Sequence, residues 1–232
     1  MRKSGWELRR FGVVPRTTMT ASLQWLASRN LNIQTILDVG ASDGRWSQHC
    51  MQFFPAAKYV IFEPQPVHSQ ALDAFANTSG GKVQVVKKAV GAAEGHTFFD
   101  ISVPMGGALL KDGNGASALK VEMTTVDTAT AELHTAGPYL LKLDTHGFER
   151  SILGGSQSTL ANSAALIIEA YNYNVTDEAF LFWELCAYLA ERGFRPIDLV
   201  DVGHRVRDQS LWQMDLVFIR STWEGFKYIH YQ

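Results

Sequence analysis

The sequence predicts a doubly wound α/β domain: a mostly parallel sheet that ends in an antiparallel hairpin and carries a β-rich insertion. Three observations predict it. From about residue 20, short apolar runs alternate with longer amphipathic ones, the pattern of repeated βα units. A glycine-bearing turn, Asp38-Val39-Gly40-Ala41-Ser42-Asp43-Gly44, joins the first apolar run to a helical segment. The last two β-type runs are joined by a polar loop with no helix between them. With 232 residues, 46% hydrophobic and 19% charged, the chain can bury a full core without disulfide or metal staples.

Taken in order, residues 22–30 read as a helix ahead of the first strand, Thr35–Val39. Residues 44–53 form a helix stopped by Pro55, and 58–63 the second strand. Pro66 suits the first turn of a helix over 66–77, and 83–87 is the third strand. Between about 91 and 127 the rhythm breaks. Gly91, Gly95, Gly106, Gly107, Gly113 and Gly115 punctuate β-type pieces at 96–101 and 119–123 around a Gly-rich tip at 104–116. Alternation resumes with a strand at 139–143, a helix at 148–160 and a strand at 165–169. The clearest helix is 177–192, apolar at Leu181, Leu185, Tyr188 and Leu189 and stopped by Gly193. Strands at 195–200 and 214–220 close the chain as the hairpin. Residues 1–30 are an N-terminal helical arm, and 31–232 the main domain.

Charge and composition exclude several function classes. The net charge is −2, so the basic footprint of a nucleic-acid binder is missing. Arg2, Lys3, Arg9, Arg10 and Arg16 cluster near the start and read as a solvated arm. The two cysteines, Cys50 and Cys186, show no metal-ligand spacing and read as buried thiols. The apolar run at 11–14 is too short for a signal peptide, and no stretch approaches the ~20 residues that span a bilayer. The default expectation is a cytoplasmic protein without a membrane span.

The glycine turn and the next strand carry the chemistry. Free N–H groups at a helix start, with small residues before them, let a ligand approach the backbone. The spacing is Gly40-xxx-Gly44, without the three-glycine turn that brings a pyrophosphate close. About 20 residues on, where such domains hold ribose hydroxyls, the second strand ends in Phe62-Glu63-Pro64. Each feature alone also fits an ordinary strand–helix turn or a solvated loop acid. Together they favour a nucleoside site.

These pieces, with Gln65-Pro66, Leu72, Lys88-Ala89-Val90-Gly91, Thr125-Val126-Asp127 and the block Leu141-Lys142-Leu143-Asp144-Thr145-His146-Gly147-Phe148-Glu149, resemble the FkbM family of methyltransferases. Leu153, Gly155, Leu160 and Glu169 extend the likeness, which covers roughly residues 33 to 170. The resemblance implies a Rossmann-like class I methyltransferase sheet with S-adenosyl-L-methionine as methyl donor. It implies an acceptor hydroxyl on a small molecule such as a polyketide or saccharide. By the same resemblance, Asp38, Gly40, Ala41, Ser42 and Gly44 line the methionine end of the donor. Glu63, followed by Pro64, takes the ribose, and the backbone at Ala89 and Val90 faces the adenine. Asp144 stands beside the sulfonium and the acceptor. Ser42 replaces a frequent Asn of the family, and His146 a frequent acid or amide.

A hydroxyl acceptor must lose its proton. His146 suits that task because its unperturbed pKa lies near working pH; Asp144 is the rival base or an orienting group. The residues leave that choice open, although a carboxylate beside the histidine would raise its pKa. Glu169 and Asn172 end the next strand, within reach of substrate. A divalent ion on Asp144 and Glu169 is conceivable, but no spacing is diagnostic, and the metal-free reading is preferred. Gly147 also suits a plain strand-to-helix turn, and Glu149 a helix start favoured by the macrodipole. Two rival functions fit the same sheet: a nicotinamide-dependent oxidoreductase and a non-catalytic S-adenosylmethionine-binding module. The insertion, the N-terminal segment and the loop at 201–212 would shape the acceptor pocket. Trp6, Phe11 and Trp223 equally suit a homo-oligomer interface.

Overall fold

The computed structural model describes residues 17–101, 109–110 and 118–230. The basic cluster before residue 17, Trp6, Phe11 and most of the Gly-rich tip lie outside them. Helix α1 (Met19–Ala27) starts at Thr18, whose hydroxyl accepts from the Ala21 N–H. Then follow β1 (Thr35–Val39), α2 (Arg45–Cys50), β2 (Lys58–Phe62), α3 (Ser69–Thr78) and β3 (Val83–Val86). The insertion holds β4 (Ala89–Val90), β5 (Gly95–Asp100), β6 (Leu109–Leu110) and β7 (Ala118–Thr124). After α4 (Val126–Glu132) come β8 (Tyr139–Leu143), α5 (Glu149–Gly154), α6 (Gln157–Ala161) and β9 (Ser163–Tyr171). Helix α7 (Phe182–Ala190) leads to β10 (Phe194–His204) and β11 (Leu211–Arg220).

The main sheet has the order β10-β11-β9-β8-β1-β2-β3, and the insertion forms a second, four-stranded sheet, β4-β7-β5-β6. Strands β3, β2, β1, β8 and β9 are parallel, while β11 runs antiparallel between β9 and β10. This is the predicted doubly wound, Rossmann-like sheet with its antiparallel hairpin and β-rich insertion. Strands β1 and β8 are buried at every residue, as a parallel sheet covered on both faces requires. Alternate residues feed two cores. Leu37, Val39, Leu141, Leu143 and Ile168 pack under α4 to α7, through residues such as Ile152, Leu160 and Leu185. Ile36, Ile61, Leu140 and Ile167 pack under α1 to α3, through Leu23, Leu26, Cys50 and Leu72. Trp223 packs within the chain, edge-on to Trp25 and Phe226.

Helix boundaries differ from expectation for identifiable reasons. The helix expected over 148–160 breaks into α5 and α6 at Gly155, where a Cβ would stand 2.3 Å from the Gly91 carbonyl oxygen. Asp127, from a distant segment, then caps α6 by accepting from the Ser158 and Thr159 N–H groups at 2.9 and 2.7 Å. The helix expected from 177 begins only at Phe182. Thr176 donates to the Gly147 carbonyl and the Arg150 N–H donates to the Glu178 carbonyl, so this stretch is pinned over the loop after β8. The helix expected over 66–77 opens with a 3-10 turn, Pro66–His68. Helix α4 was not expected at all; its Thr125 cap, accepting from Thr128 N–H, is the missed signal. Among the described residues no helix is long and apolar enough to cross a membrane.

Strand order reverses at β1, which has β2 on one side and β8 on the other. Ligands of open α/β sheets bind in the crevice at the carboxyl ends of such strands.

Candidate active site

At the end of β1 the chain turns left-handed at Gly40, with φ +82°. A Cβ there would lie 2.0 Å from the Asp144 carbonyl oxygen. Glycine is therefore demanded by the close approach of the chain leaving β8, before any ligand is considered. Ser42 also has a left-handed backbone (φ 50°), which aims its N–H at Glu63 Oε2 at 2.9 Å. The Gln65 N–H donates to the other oxygen, Oε1, at 2.8 Å. Glu63 is 4% exposed. Burial pushes its carboxyl above the usual range against the pull of these two N–H groups.

Behind this wall lies a buried ion cluster. Lys142 Nζ stands 3.2 Å from Asp38 Oδ1 and 3.1 Å from Asp144 Oδ2, and over the Trp46 ring. Ser47 Oγ donates to the other Asp38 oxygen at 2.7 Å. Burial opposes the Lys142 charge, but attraction to Asp38 and Asp144 outweighs it and holds the ammonium above its ordinary pKa. Burial likewise works to raise Asp144, yet Lys142 and His146 together hold that carboxyl below the usual value.

The loop after β8 is a left-handed pair, His146 (φ 54°) and Gly147 (φ 101°). Glu149 holds it by accepting from the Gly147 N–H at 3.0 Å and the Thr145 hydroxyl at 3.2 Å. His146 Nδ1 thereby meets Glu169 Oε2 at 3.1 Å and the Tyr171 hydroxyl at 2.9 Å. Tyr171 donates to the same Glu169 oxygen, and Gln213 Nε2 donates to the other at 2.7 Å. The bond to Glu169 raises the His146 pKa, against the opposing effect of burial. On β11, Asp215 faces Glu169 in register. Burial and the neighbouring Asp144 charge push the Asp215 carboxyl up to about 7.

A cleft of about 290 Å³ opens between these groups. Ser42, Glu63 and Pro64 line it just after β1 and β2, and Ala89, Val90, Phe99 and Ile152 add apolar lining. Asp144, Thr145, His146 and Glu169 line it from β8 and β9, on the other side of β1 and Gly40 from Glu63.

The model of the methyltransferase FkbM domain matches residues 38–196, which include both ends of the cleft. The chain belongs to the FkbM methyltransferase family. No curated protein matches the sequence. Among solved structures the chain resembles an FkbM methyltransferase from Methylobacillus flagellatus KT, at 16% identity and a TM-score of 0.51. That alignment covers 80% of this chain but 44% of the other, so this chain spans less than half the length of that relative. The fibrillarin pre-rRNA processing protein of Methanococcus jannaschii aligns at 14% identity over 82% and 67% of the two chains, with a TM-score of 0.49. A Burkholderia thailandensis 1,6-didemethyltoxoflavin-N1-methyltransferase aligns at 13% identity over 88% and 79%, with a TM-score of 0.45.

In this FkbM domain the predicted residues Gly40, Ser42, Glu63, Pro64, Ala89, Val90, Asp144 and His146 all border the cleft. Asp38, Ala41 and Gly44 stand off its wall. Asp38 is fully buried in the ion cluster, and Ala41 packs in the core beside Ile61 and Leu72. Gly44 caps α2 with a left-handed backbone, facing Leu72 and Phe75. Asp144, His146 and Glu169 each offer one metal-ligating atom, all within 4.8 Å of one another. Hydrogen bonds join His146 to Glu169, while Asp144 is held by Lys142. Sequence reasoning missed Lys142, Tyr171, Gln213 and Asp215. The available signal was a charge, Lys142, inside a strand otherwise apolar on both faces.

Proposed function

We propose that this FkbM-family chain is an S-adenosylmethionine-dependent O-methyltransferase that acts on a hydroxyl of a small molecule, of the polyketide or saccharide class. The observation that carries the reading is Glu63, at the carboxyl end of β2 and opposite Asp144 and His146 across one cleft. Each of its oxygens accepts one backbone N–H, which leaves a further lone pair on each for two vicinal hydroxyls. The donor fits these residues. Glu63 would hold its ribose, the Ala89–Val90 flank with Phe99 and Ile152 its base, and the Gly40–Ser42 turn its amino-acid end. When bound, S-adenosylmethionine supplies a methyl group already activated by positive sulfur.

The chain's own tasks are positioning, exclusion of water and removal of the acceptor's proton. His146 and Asp144 stand at the acceptor end for the last of these. Carboxylates Asp144 and Glu169 stand on that side, and with a net charge of −2 they disfavour a polyanionic acceptor such as nucleic acid. Calorimetry with S-adenosylhomocysteine tests the donor half: saturable binding is expected, weakened at least 10-fold by Glu63→Ala. The absence of both heat and thermal shift at saturating ligand would end the proposal. A turnover assay on a panel of hydroxylated acceptors, with and without a chelator, tests the other half.

A further inference from the structure

We propose that Glu169, itself fixed by Tyr171 and Gln213, is a positioning residue that locks His146 as the base for the acceptor hydroxyl. The inference rests on the methyltransferase reading above and names the group that performs its proton step. It follows from hydrogen-bond bookkeeping around one nitrogen. The Tyr171 hydroxyl has one proton and gives it to Glu169 Oε2. At His146 Nδ1, the Tyr171 oxygen and the Glu169 carboxylate therefore both present lone pairs. Only a protonated Nδ1 satisfies them, by donating to both. In the neutral ring the other nitrogen, Nε2, then carries the lone pair.

Nε2 has no hydrogen-bond partner among the described residues. The ring borders the cleft with its side chain 36% exposed, so Nε2 is available to an acceptor O–H. The proton passes from that hydroxyl to Nε2, and the oxygen keeps the electron pair. The resulting imidazolium donates through Nδ1 to Glu169 and returns the Nε2 proton to water. Asp144 is the poorer base because its carboxylate is engaged by Lys142.

The groups that bear on His146 are Glu169 and Tyr171 from β9, Asp144 from the end of β8 and Glu149 from α5. Gln213 and Asp215 of β11 act through Glu169, and Lys142 through Asp144.

The test has a readout that needs neither donor nor turnover. Long-range ¹H–¹⁵N spectra of the histidine side chains report each tautomer, and the resonance lost in His146→Gln assigns His146. The expected result for the neutral wild-type ring is the Nδ1–H form. Glu169→Ala frees the Tyr171 hydroxyl to donate to Nδ1 and should shift the ring toward Nε2–H, whereas Tyr171→Phe should keep Nδ1–H. An Nε2–H wild-type ring overturns the inference, and that spectrum stands even if the Glu169 variants fail to fold. In turnover, Glu169→Gln should lower kcat by at least about 10-fold with S-adenosylhomocysteine affinity within about 2-fold of wild type. Its acid limb should move to lower pH, since the carboxylate that raises the imidazole pKa is gone. An unmoved limb with unchanged kcat overturns the role of Glu169, as does chelator-sensitive activity restored by Mg²⁺. If wild type binds no S-adenosylhomocysteine, the donor-site reading fails instead, which separates the two failures.

Discussion

Lys142→Met is the sharpest perturbation the structure offers. Lys142 is 4% exposed at its side chain and bridges Asp38, at 0%, to Asp144, at 37%. Methionine preserves the stem's packing but leaves Asp38 an uncompensated buried carboxylate with only the Ser47 hydroxyl on its second oxygen. Breaking one side of a buried pair costs about 3–5 kcal/mol. The half-exposed Asp144 adds little, because solvent already screens it. For a chain of this length each kcal/mol lowers Tm by about 2–4 °C, so a fall of roughly 6–20 °C is expected. Asp38→Asn in the same chain removes the stranded charge and keeps an acceptor for Ser47. The double variant should therefore recover at least about half of the loss. Calorimetry and urea unfolding of the wild type, both single variants and the double variant close the cycle. A Lys142→Met shift under about 3 °C, or a double variant no more stable than Lys142→Met, would refute the reasoning.

Gly40→Ala should lose about 1–2 kcal/mol to its left-handed backbone alone, and more to the 2.0 Å contact with the Asp144 carbonyl; urea unfolding measures the loss. Asp215 has its pKa raised to about 7, so the folded state holds its proton after the unfolded chain has lost it, and stability falls as pH rises toward 7. Asp215→Asn removes that dependence, and its advantage over wild type should grow by as much as about 3 kcal/mol between pH 5 and pH 8. His146 has a raised pKa as a base, so its contribution is full below the ordinary histidine value, ~6.5, and is lost as pH climbs through the folded value. His146→Gln should flatten the stability profile above pH 6.5, read by Tm against pH.

What was legible in the sequence follows from how local each cause is. Strands β1, β2 and β8 announce themselves because burial on both faces forces continuous apolar runs, such as Tyr139–Leu143. Gly40 and Glu63 were legible because a turn and a strand end each occupy a few consecutive residues. Helix ends were not, since α6 is capped by Asp127 and the start of α7 is set by the contacts of Thr176 and Glu178 with the loop after β8. The side-chain network around Lys142 and His146 was hidden for a related reason. Asp38 pairs in register with Lys142, Tyr171 with Gln213, and Glu169 with Asp215. Each pair joins residues far apart in the chain, so no window of sequence contains both partners.

That same register puts the two halves of the cleft on different strands. Glu63 and the turn at Gly40–Ser42 depend on β1 and β2, and their bonds are mostly to backbone N–H groups. The environment of His146 depends on side chains of β9 and β11. The two halves meet at β8, where Lys142 ties Asp38 to Asp144 through side chains alone. A change at Gln213 or Tyr171 therefore reaches His146 without touching Glu63 or its partners. A change at Lys142 reaches both. Lys142 is thus the residue whose loss should disturb the fold and the His146 end of the cleft together, because one ammonium neutralises a core carboxylate and a cleft carboxylate at once.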